Sequence, residues 1–184
     1  MIELWLVRHG ETEWSRSGRH TGTTDLPLTE AGERSARELA GRLSGTAFDD
    51  VVTSPLQRAA RTAALAGFAD ARHDPRLVEW DYGDYEGITT PQIRETEPGW
   101  TVWTHGARGG ETVEQMCARM DAVLRDLPGE GRILVIAHGH TLRALSARWL
   151  GLPVAESRLL KLDTATVSVL GHERDVPVII RWNC

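Results

Sequence analysis

Hydrophobic positions along the chain form short continuous runs that alternate with stripes of helical spacing. The apolar runs have the length of buried strands, and the stripes, which repeat every three or four residues, indicate amphipathic helices. Strands are predicted at 2–7, 51–53, 71–73, 133–137, 158–170 and 177–182, with a turn at 171–175. Helices are predicted from Thr29 to Gly45, at 55–66, from Thr90 to before Pro98, from the capping box Thr112/Gln115 to Leu127, and after His140.

This order of elements predicts the fold class. Three strand–helix alternations favour a three-layer α/β/α sandwich with a mainly parallel sheet, folded as one domain over 1–184. A polar loop is predicted at 11–28. The segment around 80–110 is rich in aromatic residues, and the pattern leaves open whether it is a lid or part of the core.

Three of the predicted strands end in residues that can carry chemistry. The strand ends are Arg8-His9, Ser54-Pro55 and His138, and Gly10 is expected to let the backbone turn tightly after the first. Parallel strands bring their carboxyl ends to one sheet edge, where ligands bind in open α/β sheets. Arginine matches phosphate oxygens, and histidine can act as base, ligand or nucleophile near neutral pH. The pattern therefore predicts an anion-binding crevice.

Composition narrows the classes of partner. The net charge of −5 argues against nonspecific nucleic-acid binding and against an anionic membrane surface, so an anion site must be a local cluster of arginines. Lys161 is the only lysine among 21 cationic residues, which excludes a P-loop. Cys117 and Cys184 imply no disulfide framework, and neither a targeting segment nor an apolar run of membrane-spanning length is recognised. A cytoplasmic protein is therefore expected, and its oligomeric state, monomer or homodimer, stays open.

Four ordered motifs resemble the histidine phosphatase superfamily, whose fold is phosphoglycerate-mutase-like. The resemblance covers most of the chain. The motifs are L-V-R-H-G-E-T-E-W at 6–14, S-P-L-x-R-A-x-x-T-A at 54–63, Glu79 before Y-G-x-Y-E-G at 82–87, and A-H-G-H-x-L-R-A at 137–144.

The resemblance implies a role for each of five catalytic residues. It makes His9 the nucleophile that takes the phosphoryl group, with its second ring nitrogen held by a carbonyl. Arg8 and Arg58 would clamp the phosphoryl oxygens, and His138 would donate to one of them. Glu79 would protonate the leaving oxygen, with a pKa expected to be raised by the neighbouring aromatic residues.

Weaker matches are the substrate-binding positions Ser15, Thr21, Gly22, Tyr82 and Gly139. His138 and His140 have a spacing that also occurs at metal sites, but the implied mechanism needs no metal or cofactor.

Within the family, the residues after Glu79 favour hydrolysis. Mutases carry an arginine there and further cations in the insertion that follows, whereas here Trp80 follows and 81–105 hold only Arg94. The chain looks most like small bacterial broad-range acid phosphatases and the fungal sedoheptulose-1,7-bisphosphatase. The expected activity is metal-independent hydrolysis of small phosphate esters, releasing inorganic phosphate.

Several alternatives stay open. They are a cofactor-dependent phosphoglycerate mutase, a phosphoprotein (phosphohistidine) phosphatase, and a non-catalytic module that binds phospho-ligands. A serine hydrolase is disfavoured because the chain has no G-x-S-x-G motif.

Overall fold

The computed structural model describes residues 1–184 and contains six strands and seven helices. The strands are β1 (Ile2–Arg8), β2 (Asp50–Thr53), β3 (Arg72–His73), β4 (Gly131–Ala137), β5 (Val167–Glu173) and β6 (Val176–Arg181). The helices are α1 (Glu13–Ser17), α2 (Glu30–Leu43), α3 (Gln57–Leu65), α4 (Thr90–Thr96), α5 (Val102–His105), α6 (Val113–Arg125) and α7 (Gly139–Trp149). Short 3-10 helices lie at Pro75–Leu77, Gly83–Tyr85 and Val154–Leu159. None of the helices has both the length and the apolar character needed to cross a bilayer.

The six strands form one mixed sheet in the order β3-β2-β4-β1-β5-β6. β4 pairs in parallel with both β1 and β2, whereas β5 and β6 run antiparallel. The register places Arg8 beside Ala137, and Thr53 beside Ile136. The residues that follow these strands therefore leave the sheet at one edge, as predicted.

Helices cover both faces of the sheet because the central strands are apolar on both sides. In β1, Leu4 and Leu6 belong to a large core cluster that also contains side chains of α6 and α7, while Val7 belongs to a second cluster with side chains of α2 and α3. The predicted three-layer α/β/α sandwich is confirmed.

The aromatic segment at 80–110 contributes to the core. The side chains of Trp80, Tyr82, Tyr85, Trp100 and Trp103 are all buried and join the larger cluster. Trp80 and Trp103 meet edge to face, with ring centroids 5.8 Å apart. The sequence left open whether this segment is a lid or part of the core, and these five side chains are part of the core.

Three local predictions were wrong or incomplete. Only 167–170 of the predicted strand 158–170 are extended, its first two residues end a 3-10 helix, and β5 continues to Glu173 into the predicted turn at 171–175. The predicted loop at 11–28 contains α1, capped by reciprocal hydrogen bonds between Thr12 and Ser15. Gly10 has no left-handed backbone angle. A Cβ at Gly10 would lie 2.5 Å from the carbonyl oxygen of Gly32 in α2, so close helix packing requires glycine there.

Candidate active site

The carboxyl ends of β1, β2 and β4 converge beneath a cavity of about 270 Å³. Its wall is largely polar and includes Arg8, His9 and Glu79 together with residues of the loop after α1 and of the first turns of α7. The volume lies just below the range of about 300–1,000 Å³ typical of small-molecule sites. The cavity therefore suits a small metabolite.

His9 lies on the floor of this cavity as a neutral imidazole with one free ring nitrogen. Its side chain is buried, and Nδ1 lies 2.7 Å from the carbonyl oxygen of Gly10. A carbonyl oxygen only accepts, so Nδ1 carries the proton and Nε2 keeps its lone pair. Burial, reinforced by the charges of Arg8 and Arg58, lowers the pKa of His9 to about 3. The imidazole is therefore neutral, with Nε2 unprotonated as a nucleophile must be, throughout the physiological pH range.

Arg8 is the cation beside His9, and most of its donors are unused by the protein. Nη1 donates to the carbonyl of Leu162 at 2.6 Å, whereas the buried Nε–H has no hydrogen-bond partner. A buried donor without a partner is costly, and a phosphoryl oxygen in the cavity would satisfy it. Gly139 packs against this guanidinium, because a Cβ there would lie 3.2 Å from both Cζ and Nε.

Glu79 sits on the N-terminus of α7. Its carboxylate accepts hydrogen bonds at 2.9 Å from the backbone N–H of Trp80, His140 and Thr141, and the Thr141 hydroxyl lies at the same distance. The side chain is 7% exposed and lines the cavity. Glu79 therefore caps a helix and faces the ligand space at the same time.

These contacts overturn the expectation of a raised pKa for Glu79. Burial by itself raises the pKa of this carboxyl, but His140, His138 and the backbone N–H of His140 outweigh it, and the pKa lies well below 4.5. The two histidines, and to a smaller extent the helix amide, stabilise the ionised carboxylate, and burial does not overcome their combined effect. Glu79 is therefore ionised at neutral pH.

Arg58 and His138 lie behind His9 and form no part of the cavity wall. The ring centroids of His9 and His138 are 5.2 Å apart. Arg58 donates from Nε to Nδ1 of His138 at 3.1 Å and from its other nitrogens to the carbonyls of Thr24, Thr21 and Gly22.

The Nε2–H of His138 faces the hydroxyl of Ser54 at 2.7 Å. The donors that the resemblance assigned to a phosphoryl oxygen are thus engaged with protein atoms. In this geometry the two residues hold the floor and the 21–24 loop.

The weaker sequence matches divide into two groups. Thr21, Tyr82 and Gly139 line the cavity, as does Ser15. The hydroxyl of Ser15, however, is engaged with the backbone of Thr12 as part of the α1 cap.

Gly22 is not on the cavity wall, because its N–H donates to the carboxylate of Glu86 at 2.9 Å. Glycine is required at this position by close packing, because a Cβ would lie 2.4 Å from the carbonyl oxygen of Trp80.

Among the wall residues that were not assigned to the site from the motifs, four have ionisable side chains: Arg19, His20, His140 and Arg143. His20 stacks on Tyr82 with ring centroids 4.6 Å apart, and burial followed by the charge of His140 lowers its pKa to about 4. Arg143 is itself the arginine of the fourth motif and lies four residues after Gly139 on α7, so the motif together with helical spacing is the signal that points to it. Arg19 carries no comparable signal. The cavity wall thus carries two cations, Arg19 and Arg143, that lie outside the 81–105 segment, in which Arg94 is the only arginine or lysine.

His138 and His140 face different partners despite their H-x-H spacing. His138 contacts Ser54 and Arg58, while Nδ1 of His140 lies 2.5 Å from the Tyr82 hydroxyl. No group of three or more His, Cys, Asp or Glu side chains is arranged to hold a metal ion.

Comparisons with known proteins identify a matching family and several similar proteins. The family model described as histidine phosphatase superfamily (branch 1) matches residues 4–184. An acid phosphatase of Mycobacterium tuberculosis is 47% identical over 179 residues, covering 94% of this chain and 88% of that protein. A probable phosphoglycerate mutase GpmB of Cronobacter sakazakii is 34% identical, covering 99% of this chain and 90% of that protein.

The sedoheptulose 1,7-bisphosphatase of Saccharomyces cerevisiae is 38% identical, covering 81% of this chain and 68% of that protein. Among solved structures, the product of an open reading frame of Mycobacterium tuberculosis superposes with a TM-score of 0.92 at 44% identity. The match covers 98% of this chain and 96% of that one.

Proposed function

The chain belongs to the histidine phosphatase superfamily, and on that premise we propose that it is a phosphomonoesterase acting on small phosphate esters through a phosphohistidine intermediate. The observation that carries the proposal is the pairing of a free Nε2 on neutral His9 with an unpartnered donor on Arg8 at one cavity. The relatives named as an acid phosphatase and a bisphosphatase support the same reaction class.

In the first step, Nε2 of His9 attacks the phosphorus atom. The Nε2–P bond forms while the bond from phosphorus to the ester oxygen breaks. Charge on the phosphoryl oxygens is met by Arg8, and the hydrogen bond from Nδ1 to Gly10 delocalises the positive charge that develops on the ring. The leaving alkoxide needs a proton, which Glu79 would deliver.

Because Glu79 is ionised in the free protein, its proton must arrive with the substrate. A phosphate monoester has a second pKa of about 6, so its monoanion can hand one proton to Glu79 on binding. The phosphate charge next to the carboxylate raises the pKa of Glu79 in the complex, which favours that transfer.

In the second step, water attacks the phosphohistidine. Glu79, again a carboxylate, takes a proton from the water as the new P–O bond forms and the Nε2–P bond breaks. Inorganic phosphate leaves with the proton that Glu79 took from the water, so Glu79 is again ionised and His9 returns to its neutral form. Each role of Glu79 requires the position that α7 gives its carboxylate at the cavity wall.

The test is a comparison of wild type with His9→Ala, using p-nitrophenyl phosphate hydrolysis. We expect the variant to lose at least about 10³-fold in kcat, because the covalent route disappears. His73→Ala is the matched control, since His73 is exposed on β3 and outside the cavity. Acid-quenched wild type should carry acid-labile phosphate, and His9→Ala should not. Near-normal activity of His9→Ala would disprove the covalent route.

A mutase is the second candidate, supported by the GpmB relative. With 3-phosphoglycerate as substrate, we expect release of inorganic phosphate to exceed formation of 2-phosphoglycerate. Trp80, where mutases have arginine, is buried and donates to the carbonyl of Glu111, so it adds no cation to the cavity. Dominant formation of 2-phosphoglycerate would favour the mutase.

A further inference from the structure

We propose that Thr62 is a positioning residue for phosphoryl transfer, because its buried hydroxyl fixes the Gly10 backbone, whose carbonyl holds His9 in the reactive tautomer. The inference rests on the proposed phosphomonoesterase function and concerns how the nucleophile of that reaction is prepared. Thr62 belongs to the second sequence motif, but it lies on α3, outside the cavity wall, and no step of the proposed reaction uses it. It therefore acts through other residues and touches no substrate.

The Thr62 hydroxyl connects the turn after β1 to helix α3. The backbone N–H of Gly10 donates to Oγ1 of Thr62 at 3.0 Å, and Oγ1 lies 2.7 Å from the carbonyl oxygen of Arg58. An N–H group can only donate, so Oγ1 accepts from Gly10 and its single hydrogen goes to the Arg58 carbonyl. The partners therefore determine both directions, and the hydroxyl cannot rotate without breaking a hydrogen bond.

This hydroxyl is the acceptor on which the Gly10 N–H depends. Gly10 and Thr62 are both buried, and no backbone oxygen pairs with the Gly10 N–H. A threonine in a helix often bonds the carbonyl four residues earlier, so the contact with Arg58 alone would be ordinary helix chemistry. The second bond joins Thr62 to a residue 52 positions away, beside the nucleophile. Without the hydroxyl, a buried N–H would lack a partner, and the backbone would have to move to find one.

Movement of Gly10 would reach His9 through the Gly10 carbonyl. Nδ1 of His9 lies 2.7 Å from that oxygen, and this contact keeps the proton on Nδ1 and leaves Nε2 free to attack phosphorus. In a neutral imidazole without such a partner, the proton can occupy either nitrogen, and the form protonated on Nε2 is not a nucleophile at that atom. The orientation of Gly10 therefore sets the reactive fraction of His9.

Close packing against α2 restricts the same segment sterically. A Cβ at Gly10 would lie 2.5 Å from the carbonyl oxygen of Gly32, and a Cβ at Gly32 would lie 2.2 Å from the carbonyl oxygen of Glu11. The backbone N–H of Thr29 donates to that Glu11 carbonyl at 2.9 Å. Helix α2 thus limits the space of the turn, whereas Thr62 supplies the directional bond at Gly10 itself.

The tautomer of His9 provides the first test. Thr62→Val keeps the shape of the side chain and lacks the hydroxyl, while Thr62→Ser keeps the hydroxyl. Nitrogen-15 NMR distinguishes a protonated from an unprotonated ring nitrogen, and the spectrum of His9→Ala identifies the His9 signals. Wild type and Thr62→Ser should show a single tautomer with Nδ1 protonated. In Thr62→Val, about a tenth or more of His9 should be protonated on Nε2 instead, a shift that the loss of one hydrogen bond can produce.

The rate of phosphohistidine formation is the second readout. Stopped-flow release of p-nitrophenolate at saturating p-nitrophenyl phosphate measures this step alone. Thr62→Val should slow it about 10- to 100-fold and change the half-saturating substrate concentration less than about threefold, because the nucleophile is misplaced while Arg8 still binds the phosphate. Thr62→Ser should regain most of the rate.

Ser146→Ala is the matched control for the loss of a buried hydroxyl. Ser146 is fully buried in α7, and its hydroxyl donates to the carbonyl of Leu142, four residues earlier, at 2.8 Å. It repeats the helical bond of Thr62 and accepts no hydrogen bond from the site. Ser146→Ala should therefore form phosphohistidine at the wild-type rate.

The outcomes separate positioning from general destabilisation. Retention of the single wild-type tautomer, or a wild-type rate of phosphohistidine formation, in folded Thr62→Val would overturn the proposal, and so would an equal loss of rate in Ser146→Ala. If Thr62→Val does not fold, Thr62→Cys replaces it in both measurements, because a thiol is only a weak acceptor. If wild type forms no phosphohistidine, the proposed function fails, and the tautomer comparison alone decides the role of Thr62.

Discussion

Replacing Glu79 by glutamine removes the carboxylate that can take up and release a proton and keeps a side chain of the same size. The glutamine keeps one acceptor oxygen for the amides of α7, but its NH2 group must face an N–H donor that the carboxylate satisfies, from His140 on one side or from Trp80 and Thr141 on the other. That mismatch costs about 1–3 kcal/mol of unfolding free energy. The variant should therefore fold with a lowered melting temperature, which circular dichroism can verify before kinetics are measured.

The kinetic loss should depend on the leaving group. A positioned general acid contributes about 10²–10⁴-fold when the departing oxygen needs a proton. For glycerol 3-phosphate, kcat/KM of Glu79→Gln should fall by that factor. For p-nitrophenyl phosphate, whose phenolate leaves without protonation, the loss should be about tenfold or less. Equal losses on the two esters would refute the role of Glu79 as proton donor.

The pH profile of the wild type follows from the same carboxylate. The reactive complex contains one proton shared between Glu79 and the ester, and that proton is supplied by the phosphate monoanion, whose pKa is about 6. Because the pKa of Glu79 lies well below 4.5, kcat/KM for an alkyl ester should decline as pH rises above about 6. At acid pH, protonation of His9 should not reduce kcat/KM until the pH approaches the pKa of this residue, about 3.

The measurement is kcat/KM for glycerol 3-phosphate between pH 4 and pH 8 at constant ionic strength, with folding verified at each pH. An activity that increases steadily to pH 8 would show that the free enzyme does not use a substrate-borne proton. An acid limb near the ordinary histidine pKa of 6.5 would show that His9 is not held neutral by its surroundings.

Three further predictions concern Arg8, pH and metal ions. Gly139→Ala should lower kcat/KM roughly tenfold by displacing Arg8, whereas Gly41→Ala, with nothing within 4 Å of the added Cβ, should retain activity; equal effects would contradict this packing. The pKa of His20 falls from 6.5 to about 4 on folding, so the unfolded chain binds the proton first and stability is lost as pH drops below 6.5. The free energy of unfolding is measured with urea at pH 7 and at pH 4.5. Between these two pH values it should fall by about 2 kcal/mol less in His20→Gln than in wild type. Hydrolysis should persist in excess EDTA, and activity that EDTA removes and a divalent cation restores would contradict the metal-free mechanism.

Much of the framework could be predicted from the chain because its signals are local. The capping box of Thr112 and Gln115 is present at the start of α6, and the apolar runs ending at Arg8 and His138 are neighbouring parallel strands. The prediction of a strand over the whole of 158–170 was wrong because the periodicity of a short apolar stretch cannot distinguish a strand from other buried segments. There the chain first forms a 3-10 helix beside α7 and becomes extended only at Val167.

Tertiary structure decided how the site residues are used. The motifs indicate that Arg58, Glu79 and His138 converge. The direction of each donor and the protonation of Glu79 depend instead on groups distant in sequence. His140 and His138, together with the backbone N–H of His140 at the N-terminus of α7, 61 residues from Glu79, keep that carboxylate ionised, and the carbonyls of the 21–24 loop engage Arg58. Periodicity and motif spacing act over a few residues, whereas a pKa and a hydrogen-bond direction are set by whatever the fold packs nearby.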